Sequence, residues 1–332
     1  GHPRLEHPGV HAVAHAGDVR TEGVGPRHRS IVATRVRSPR MRFTVSLPFT
    51  PADHLLPIAR AAEAAGWDAV SVPDSVFFPE HVSAGYPYTA DGQRFWPPDA
   101  PWPDPWVAIP AMAAVTERLS FYTNVMKVGI REPLLVAKTV TSTAAMFEGR
   151  IGIGVGLSWI PEEFAWLGQE MKTRGKRLDE GIEILRACLA GGWVEHHGRH
   201  YDFGRLMMVP APTEPVPIYV GGHSEPALKR AARLGDGWIA VQVTPEEIAE
   251  TVPKLHAYRE EYGTADRPFE IKVTPLVMPT IEAMDELAAL GVTDVITVPW
   301  FFYGGDPEAL DTKLADIARF ADEIITPIRA RG

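Results

Sequence analysis

The stretch that decides the fold lies at residues 217–241 and reads PIYVGGHSEPALKRAARLGDGWIAV. Residues 217–220 form a short apolar run that is typical of a buried strand, and 237–241 form a second one. Between them, residues 225–234 carry apolar side chains at helical spacing, and Gly235 ends the helix. Because two parallel strands need a crossover connection, this order predicts a parallel βαβ unit.

The same alternation extends in both directions along the chain, beginning at Met41. We predict eight strands, at 43–49, 69–73, 119–126, 151–156, 217–220, 237–241, 269–277 and 294–298. We predict eight helices, at 55–65, 105–117, 133–147, 161–190, 225–234, 245–262, 280–290 and 307–325. Eight consecutive βα units predict an α/β fold, a closed (β/α)8 barrel of the TIM type. An open doubly wound sheet is disfavoured because no G-x-G-x-x-G sequence follows the first strand.

The first 40 residues differ from the rest of the chain. They contain seven Arg, no Lys, three acidic residues and five of the twelve His, without helical or strand periodicity. We therefore expect residues 1–40 to be an N-terminal extension that is weakly ordered or held by a partner subunit. Residues 41–332 are expected to form a single barrel domain.

Composition excludes several classes of function. The net charge is −9, and no cluster of basic residues is interleaved with aromatic ones, so nucleic acid is not an expected partner. No apolar run is long enough to span a membrane, and no signal peptide is evident, so no membrane association is expected. The single cysteine, Cys188, lies in an apolar helical stretch, which predicts a buried residue in a cytoplasmic protein.

Three similar phrases connect a helix to the next strand. In each, a glycine can end the helix in the left-handed conformation, and an aspartate precedes or begins the strand. The pairs are Gly66 and Asp68, Gly235 and Asp236, and Gly291 and Asp294. These phrases belong to the end of the barrel opposite the active site, so we expect the aspartates to stabilise the fold and not to act in catalysis.

A glycine-rich turn follows the fifth strand, where functional residues of such barrels lie. Gly221-Gly222-His223-Ser224 leads directly into a helix. Glycines let backbone N–H groups approach an anion, and the helix start adds partial positive charge, so this stretch predicts a phosphate site. The alternative is an ordinary tight turn in which Ser224 caps the helix.

Gly152, Gly154 and Gly156 alternate along the fourth strand. We interpret them as positions of close packing inside the barrel, with Gly156 giving access to a ligand. The other strand ends carry mostly apolar and aromatic residues, which suits a flat conjugated ring.

The connection at 75–104 is unusually long and rich in proline and aromatic residues. Its aromatic residues are Phe77, Phe78, Tyr86, Tyr88, Phe95, Trp96 and Trp102. A loop of this length is usually functional, so we predict a lid over the ring site. The alternative is that the aromatic residues anchor the loop or form a dimer interface.

Other chemistries find no support in the sequence. No pair of carboxylates at the strand ends suits glycoside cleavage, and no G-x-S-x-G sequence is present. No His, Asp or Glu residues show metal-ligand spacing, so no metal site is expected, and we assign His196 and His197 to a surface turn after a helix.

Several stretches between Met41 and Trp238 together resemble the luciferase-like monooxygenase superfamily, especially its actinobacterial branch that uses coenzyme F420. They are Val72-Pro73-Asp74, Arg131-Glu132-Pro133 through Lys138, Gly149-Arg150-Ile151 through Gly156, Pro161-Glu162-Glu163-Phe164, 174–180, 218–222 and 235–238. The last quarter of the chain matches only in its β/α pattern.

The resemblance implies a barrel that is usually dimeric, with a flavin or deazaflavin across its top and the phosphate at 221–224. Family members often have a non-proline cis peptide behind the ring at the end of the third strand, which corresponds to Asn124-Val125. The implied cofactor-binding residues are Asp74, Asn124, Val125, Leu157, Ser158, Gly221, Gly222, His223 and Ser224.

One departure from the family concerns the end of the second strand. Many deazaflavin enzymes have Asp-His there, with the histidine beside the ring, whereas this chain has Asp74-Ser75. The remaining catalytic candidates are Asp74, at the ring edge, and Glu162, as a proton donor.

The resemblance therefore implies an F420-dependent oxidoreductase, which transfers a hydride between C5 of the deazaflavin and a mid-sized, partly apolar organic substrate under the lid. The chain lacks an evident set of basic residues for a sugar phosphate, so glucose-6-phosphate is not expected. The alternatives are an FMN-dependent monooxygenase, a cofactor-binding protein without turnover, and a barrel enzyme without redox chemistry. A small-molecule substrate and a homodimer are the expected partners.

Overall fold

The computed structural model describes residues 40–331, and this range contains eleven strands. They are β1 (Arg42–Ser46), β2 (Ala69–Val72), β3 (Ser120–Thr123), β4 (Met126–Lys127), β5 (Ile153–Gly156), β6 (Trp193–His197), β7 (Asp202–Met207), β8 (Ile218–Gly221), β9 (Gly237–Val243), β10 (Glu270–Pro275) and β11 (Asp294–Thr297). Nine of them form one parallel sheet in the order β3-β2-β1-β11-β10-β9-β8-β5-β4. The other two, β6 and β7, pair as an antiparallel ribbon.

The parallel sheet closes on itself. β3 and β4 are two segments of one strand, interrupted at Asn124-Val125, and they lie at opposite ends of the sheet order. Phe121 of β3 donates its N–H to the Arg150 carbonyl at 2.7 Å and accepts the Gly152 N–H at 2.8 Å, next to β5. The predicted (β/α)8 barrel is therefore confirmed.

The helices pack around the outside of this barrel. They are α1 (Leu55–Ala65), α2 (Pro105–Ala113), α3 (Pro133–Met146), α4 (Pro161–Trp166), α5 (Arg174–Leu189), α6 (Glu225–Leu234), α7 (Pro245–Glu261), α8 (Ile281–Ala289), α9 (Leu310–Phe320) and α10 (Thr326–Ala330). Prolines occupy the first turn of α2, α3, α4, α6 and α7, where their missing N–H costs no helical hydrogen bond.

Two predicted helices need correction. The single helix predicted over 161–190 is wrong, because the chain leaves α4 after Trp166 and passes through Gly168, at a left-handed φ of +72°, before α5 begins at Arg174. The last predicted helix, 307–325, begins at Leu310 and continues through a π-helical turn at Ala321–Ile325 into α10.

The assignment of His196 and His197 to a turn is also wrong. The turn after α5 is made by Gly191 and Gly192, at φ of +74° and +84°, so β6 already begins at Trp193. His197 faces Asp202 across the ribbon, with 2.6 Å between Nδ1 and Oδ1.

The lower end of the barrel holds buried charges that connect strand starts. Asp294, fully buried, accepts from the Lys272 ammonium at 2.7 Å and from the Thr44 hydroxyl at 2.8 Å. Asp68 accepts the Phe43 N–H at 2.9 Å, and Asp236 accepts the Ile218 N–H at 2.8 Å. The three aspartates lie where the sequence predicted them, at the end opposite the strand C-termini.

The glycines before these aspartates do not all act in the same way. Gly66 and Gly291 have left-handed φ values of +85° and +90°, as predicted. Gly235 is extended, with φ −91°, so the left-handed prediction is wrong for it. A Cβ at Gly235 would lie 2.9 Å from the Ala231 carbonyl oxygen, so this position needs glycine for close packing.

The predicted extension at 1–40 lies outside the described residues, except for Arg40. Within 40–331, no helix is both long and apolar enough to cross a membrane. The same residues contain no group of three or more His, Cys, Asp or Glu side chains that could hold a metal ion. Cys188 is buried, as predicted, and burial raises the pKa of its thiol.

Candidate functional site

A cavity of about 770 Å³ opens at the C-terminal ends of the strands, where the sequence places the chemistry. Residues at or just after the ends of β1, β2, β4, β5, β8, β9, β10 and β11 line it. Most of these residues are apolar or aromatic. The cavity is large enough for a cofactor ring and an organic substrate together.

The long loop after β2 covers this cavity. Five of its aromatic residues line the cavity: Tyr86, Tyr88, Phe95, Trp96 and Trp102. The Trp102 ring lies 4.9 Å from that of Phe49, after β1, and the Tyr86 ring 5.3 Å from that of Trp159, after β5. The loop therefore occupies the position of the predicted lid, and its aromatic residues also anchor it.

The peptide bond between Asn124 and Val125 is cis, at the position that the resemblance implied. Both residues line the cavity. The Val125 side chain packs on the fourth and fifth strands of the barrel, where a Cβ at Gly156 would lie 2.5 Å from Val125 Cγ2 and one at Gly221 would lie 3.0 Å from Cγ1. Gly156 therefore makes room for Val125, and the prediction that it admits a ligand is wrong.

Asp74 lies at the cavity edge, but its carboxylate is already engaged. Both oxygens accept from the Arg131 guanidinium at 2.8 Å, and Oδ2 also accepts the Lys127 N–H at 2.9 Å. The side chain is 1% exposed. These contacts fix the end of β4 to the end of β2, and they leave the carboxylate poorly placed for proton transfer.

A second buried ion pair lies beside the first. The Lys127 ammonium is 2.6 Å from Glu163 Oε1, and Glu163 is completely buried. The Ser158 hydroxyl donates to Glu163 Oε2 and accepts the Ile160 N–H at 3.1 Å. Lys127 and Leu157 line the cavity, and Leu157 is partly exposed. Ser158, predicted as a cofactor-binding residue, is buried and does not line the cavity.

Sequence reasoning missed Lys127, Glu163 and Arg131 as site residues. Lys127 does follow the third predicted strand, at the end where functional residues lie, and this position was an available signal. Glu162 and Glu163 are adjacent, and only packing decides which of them points inward.

Glu162 belongs to the lid contact. Its Oε1 accepts the Ser83 N–H at 3.0 Å, and hydrogen bonding from Ser83 lowers the pKa of the Glu162 carboxyl. The positive charge of Arg94 lowers the same pKa further. The Arg94 guanidinium lies 3.4 Å from the centre of the Phe78 ring. Among the described residues that line the cavity Glu162 does not occur, so its position does not favour the expected proton-donor role.

The glycine-rich turn after β8 lies at another side of the cavity. Gly222 has φ +122°, and a Cβ there would lie 2.9 Å from Ala227 Cβ, so the turn requires glycine. Ser224 is the N-cap residue of α6, but its side chain makes no capping hydrogen bond. Within 40–331, the backbone N–H groups of His223, Ser224 and Glu225 have no protein acceptor, which suits a bound anion.

His223 connects this turn to the lid. Its Nε2 accepts the Val241 N–H at 3.3 Å, and its ring lies 5.4 Å from that of Tyr88. Burial lowers the pKa of the imidazole, so the neutral ring is favoured.

Two non-glycine residues at the cavity have left-handed backbones. Phe49 has φ +53° and Gln242 has φ +54°, and both line the cavity. Such conformations cost about 1–3 kcal/mol each and cluster at functional sites. They support the assignment of this cavity as the site.

Comparison with known proteins is consistent with this geometry. The sequence model of the luciferase-like monooxygenase family matches residues 24–323. An uncharacterised protein of Mycobacterium tuberculosis is 42% identical over 291 residues, which cover 87% of this chain and 100% of that protein.

A second relative carries a functional name. The F420-dependent glucose-6-phosphate dehydrogenase of Nakamurella multipartita is 33% identical over 225 residues, which cover 66% of this chain and 60% of that enzyme. Among solved structures, a monooxygenase of Streptomyces bottropensis superposes with a TM-score of 0.69 at 17% identity, over 86% of this chain and 99% of the other. The extent of the family match and of these relatives shows that this chain belongs to the luciferase-like monooxygenase family.

Proposed function

We propose that this protein is an oxidoreductase that uses coenzyme F420 and acts on a neutral, mid-sized, largely apolar organic substrate. The observation that carries the proposal is an aromatic cavity with a glycine-rich turn suited to an anion at one side and a lysine at another. When bound, the deazaflavin would exchange a hydride with the substrate at its C5 position.

The residues present fit such a cofactor. His223, Ser224 and Glu225 would hold its phosphate through their backbone N–H groups at the start of α6, which have no protein acceptor within residues 40–331. Val125 and the glycines beneath it leave a smooth floor for a ring. The Asn124 amide oxygen is buried without a hydrogen-bond partner in the described structure, so a donor on the ring would satisfy it.

The lining supports a neutral substrate. Asp74, Lys127 and His223 are the only residues of ionisable type, other than tyrosines, among the described residues that line the cavity. Asp74 is paired with Arg131 and Lys127 with Glu163, so no cluster of free cations is available for a sugar phosphate. The aromatic lid would exclude water from the reacting atoms and hold the substrate against the ring.

The choice of F420 over FMN rests on the resemblance and on the named relative in Nakamurella multipartita. Binding of purified protein to F420 and to FMN, followed by fluorescence quenching at low salt, tests it. Tight F420 binding with weak FMN binding is expected. The reverse preference would indicate the monooxygenase, and binding of neither would contradict a redox function.

Turnover distinguishes an enzyme from a binding protein. Protein that binds F420 should exchange hydride between it and members of a panel of neutral ketones and alcohols. Tight F420 binding without exchange across the panel, at any pH tested, would favour the cofactor-binding alternative.

The phosphate position can be tested by adding one negative charge to the turn. Ser224→Asp keeps a good helix cap and the existing backbone, and should weaken F420 binding by about a hundredfold through charge repulsion. Gly222→Asp should abolish binding, but it also strains the backbone. Gly204→Asp is the matched control, because no atom of residues 40–331, Gly204 and its chain neighbours aside, lies within 4 Å of a Cβ there.

We retain the homodimer as a proposal. Val107 of α2 and Leu135 and Met146 of α3 are apolar yet 72%, 70% and 70% exposed, which supports a contact surface on these helices. Light scattering during size-exclusion chromatography should give twice the chain mass of 36.5 kDa. A mass equal to one chain would contradict the dimer.

A further inference from the structure

Lys127 is the only lysine or arginine among the described residues that line the cavity. Its side chain is 12% exposed, and its ammonium has one hydrogen-bond partner within residues 40–331, Glu163 at 2.6 Å. An ammonium has three N–H bonds, so two of them have no protein acceptor.

The position of this lysine is unusually well defined. Its backbone N–H donates to Asp74 at 2.9 Å, and its carbonyl accepts from Arg131 at 3.1 Å. Glu163 holds the ammonium from behind, and Ser158 satisfies the other carboxylate oxygen. A cavity-lining side chain fixed at three points does not have to be ordered when a ligand binds.

The order of the strands fixes the position of Lys127 relative to the glycine-rich turn at 221–224. β4 pairs with β5, and β5 pairs with β8, which ends at Gly221. Two strand spacings of about 4.8 Å each therefore separate the Cα atoms of Lys127 and Gly221, roughly 10 Å in all. Val125 and Gly156 lie between them. The phosphate of F420 is joined to its ring by a ribityl chain, so a phosphate at the turn would place the ring beyond that chain, over Val125 and on the side of Lys127.

We propose that Lys127 is the group that binds the oxygen-bearing edge of the cofactor ring and stabilises the charge of its reduced form. The proposal rests on the function proposed above. When a hydride leaves the carbinol C–H bond of an alcohol for C5, the bonding electron pair goes with it and adds one negative charge to the ring, while the alcohol becomes a carbonyl and its hydroxyl proton passes to solvent. The two N–H bonds of Lys127 that have no protein acceptor would offset that charge.

The pairing with Glu163 gives the proposal a second consequence. The buried carboxylate cancels part of the ammonium's charge as felt by the ring. Removing the negative charge while keeping the lysine should therefore favour the reduced ring further. If the pair lay away from the ring, Glu163→Gln would leave the relative affinity for the two forms unchanged.

The experiment compares the dissociation constants of oxidised F420 and of chemically reduced F420 for wild type and variants, under anaerobic conditions. The quantity compared is the dissociation constant of reduced F420 divided by that of oxidised F420. In Lys127→Met, this ratio should rise about tenfold or more. Lys127→Arg should keep the wild-type ratio within about threefold, because it retains the charge. Glu163→Gln should move the ratio in the opposite direction from Lys127→Met.

A double variant guards against misfolding. Lys127→Met leaves a buried carboxylate unpaired, whereas Lys127→Met with Glu163→Gln removes both charges and should melt closer to wild type. The double variant should lose preference for the reduced form in the same direction but by less than Lys127→Met, because the carboxylate that opposes the charge of the reduced ring is removed as well.

Two results would overturn the inference, and they are distinguishable. If Lys127→Met weakens binding of both forms equally, or leaves both unchanged, the lysine has no role toward the reduced ring. If wild type binds neither form of F420, the proposed function fails and the inference falls with it.

Discussion

Val125 fills the space that a side chain on Gly156 would need at the floor of the cavity: a Cβ on Gly156 would lie 2.5 Å from Val125 Cγ2. The contact joins the end of the third barrel strand to the end of the fourth. Because Gly156 has no Cβ, Val125 can take its position at the floor of the cavity.

Gly156→Ala should push Val125 into the cavity. We expect a loss of unfolding free energy of about 1–3 kcal/mol, from overpacking, and weaker cofactor binding. Chemical denaturation and F420 titration measure the two effects. Gly154→Ala should be more damaging, since a Cβ there meets the backbone carbonyl of Thr123, which cannot turn aside. Equal stability of Gly156→Ala and wild type, with unchanged binding, would show that Val125 adjusts freely.

Glu162→Gln should loosen the lid. The carboxylate that accepts the Ser83 N–H becomes a weaker acceptor and loses its attraction to Arg94. We expect faster limited proteolysis within the loop 75–104 and a small change in the free energy of unfolding, below about 1 kcal/mol. Glu170→Gln is the control, since that side chain is exposed and, among the described residues, forms its ion pair with Lys172. Abolished turnover with unchanged proteolysis would instead favour the proton-donor role.

Asp294→Ala should destabilise the barrel strongly. It would leave the Lys272 ammonium, 1% exposed, without its closest carboxylate, with Glu270 the remaining one at 2.8 Å. We expect a loss of about 3–5 kcal/mol in chemical denaturation. Asp285→Ala, which breaks an exposed pair with Arg331, should cost less than about 1 kcal/mol. Similar losses for the two variants would mean that the buried pair contributes no more than a surface one.

Glu180 should make stability depend on pH. Burial raises the pKa of its carboxyl, but hydrogen bonds from the N–H groups of His200 and Tyr201 outweigh this effect and lower the pKa below the ordinary 4.5. A lowered folded pKa means that the stabilisation is complete above the unfolded pKa and is lost as pH falls through the folded one. The difference in melting temperature between wild type and Glu180→Gln should therefore be largest above about pH 5.5 and shrink at lower pH.

The size of this effect should be moderate. Losing the charged acceptor of several backbone N–H groups should cost about 1–3 kcal/mol near neutral pH. A difference that stays constant from pH 7 to pH 3 would show that the carboxylate charge is not involved.

The order of strands and helices could be predicted from the sequence because it depends on local patterns. The apolar run at 217–220, the helical spacing of 225–234 and the run at 237–241 each act within a few residues, and a parallel unit follows from their order. The glycine-rich turn at 221–224 was predicted from local chemistry. The place of the cis bond was predicted from the family resemblance.

The direction in which side chains point could not be predicted in this way. Glu162 and Glu163 are neighbours on the short helix α4, yet one contacts the lid and the other is buried against Lys127. Nothing in a six-residue helix with apolar and acidic neighbours separates the two before the barrel, the lid and β4 surround it.

The sequence by itself determined the barrel, the end of the barrel that carries the site, and the turn suited to an anion, because hydrophobic period and glycine content are properties of short segments. Only the tertiary structure decided that Asp74 is held by Arg131, that Lys127 lines the cavity, and that Val125 fills the space left by Gly156. Those relationships join residues 31 to 57 positions apart in the chain. Their partners are set by the closing of the sheet, which brings together strand ends whose local sequences carry no record of one another.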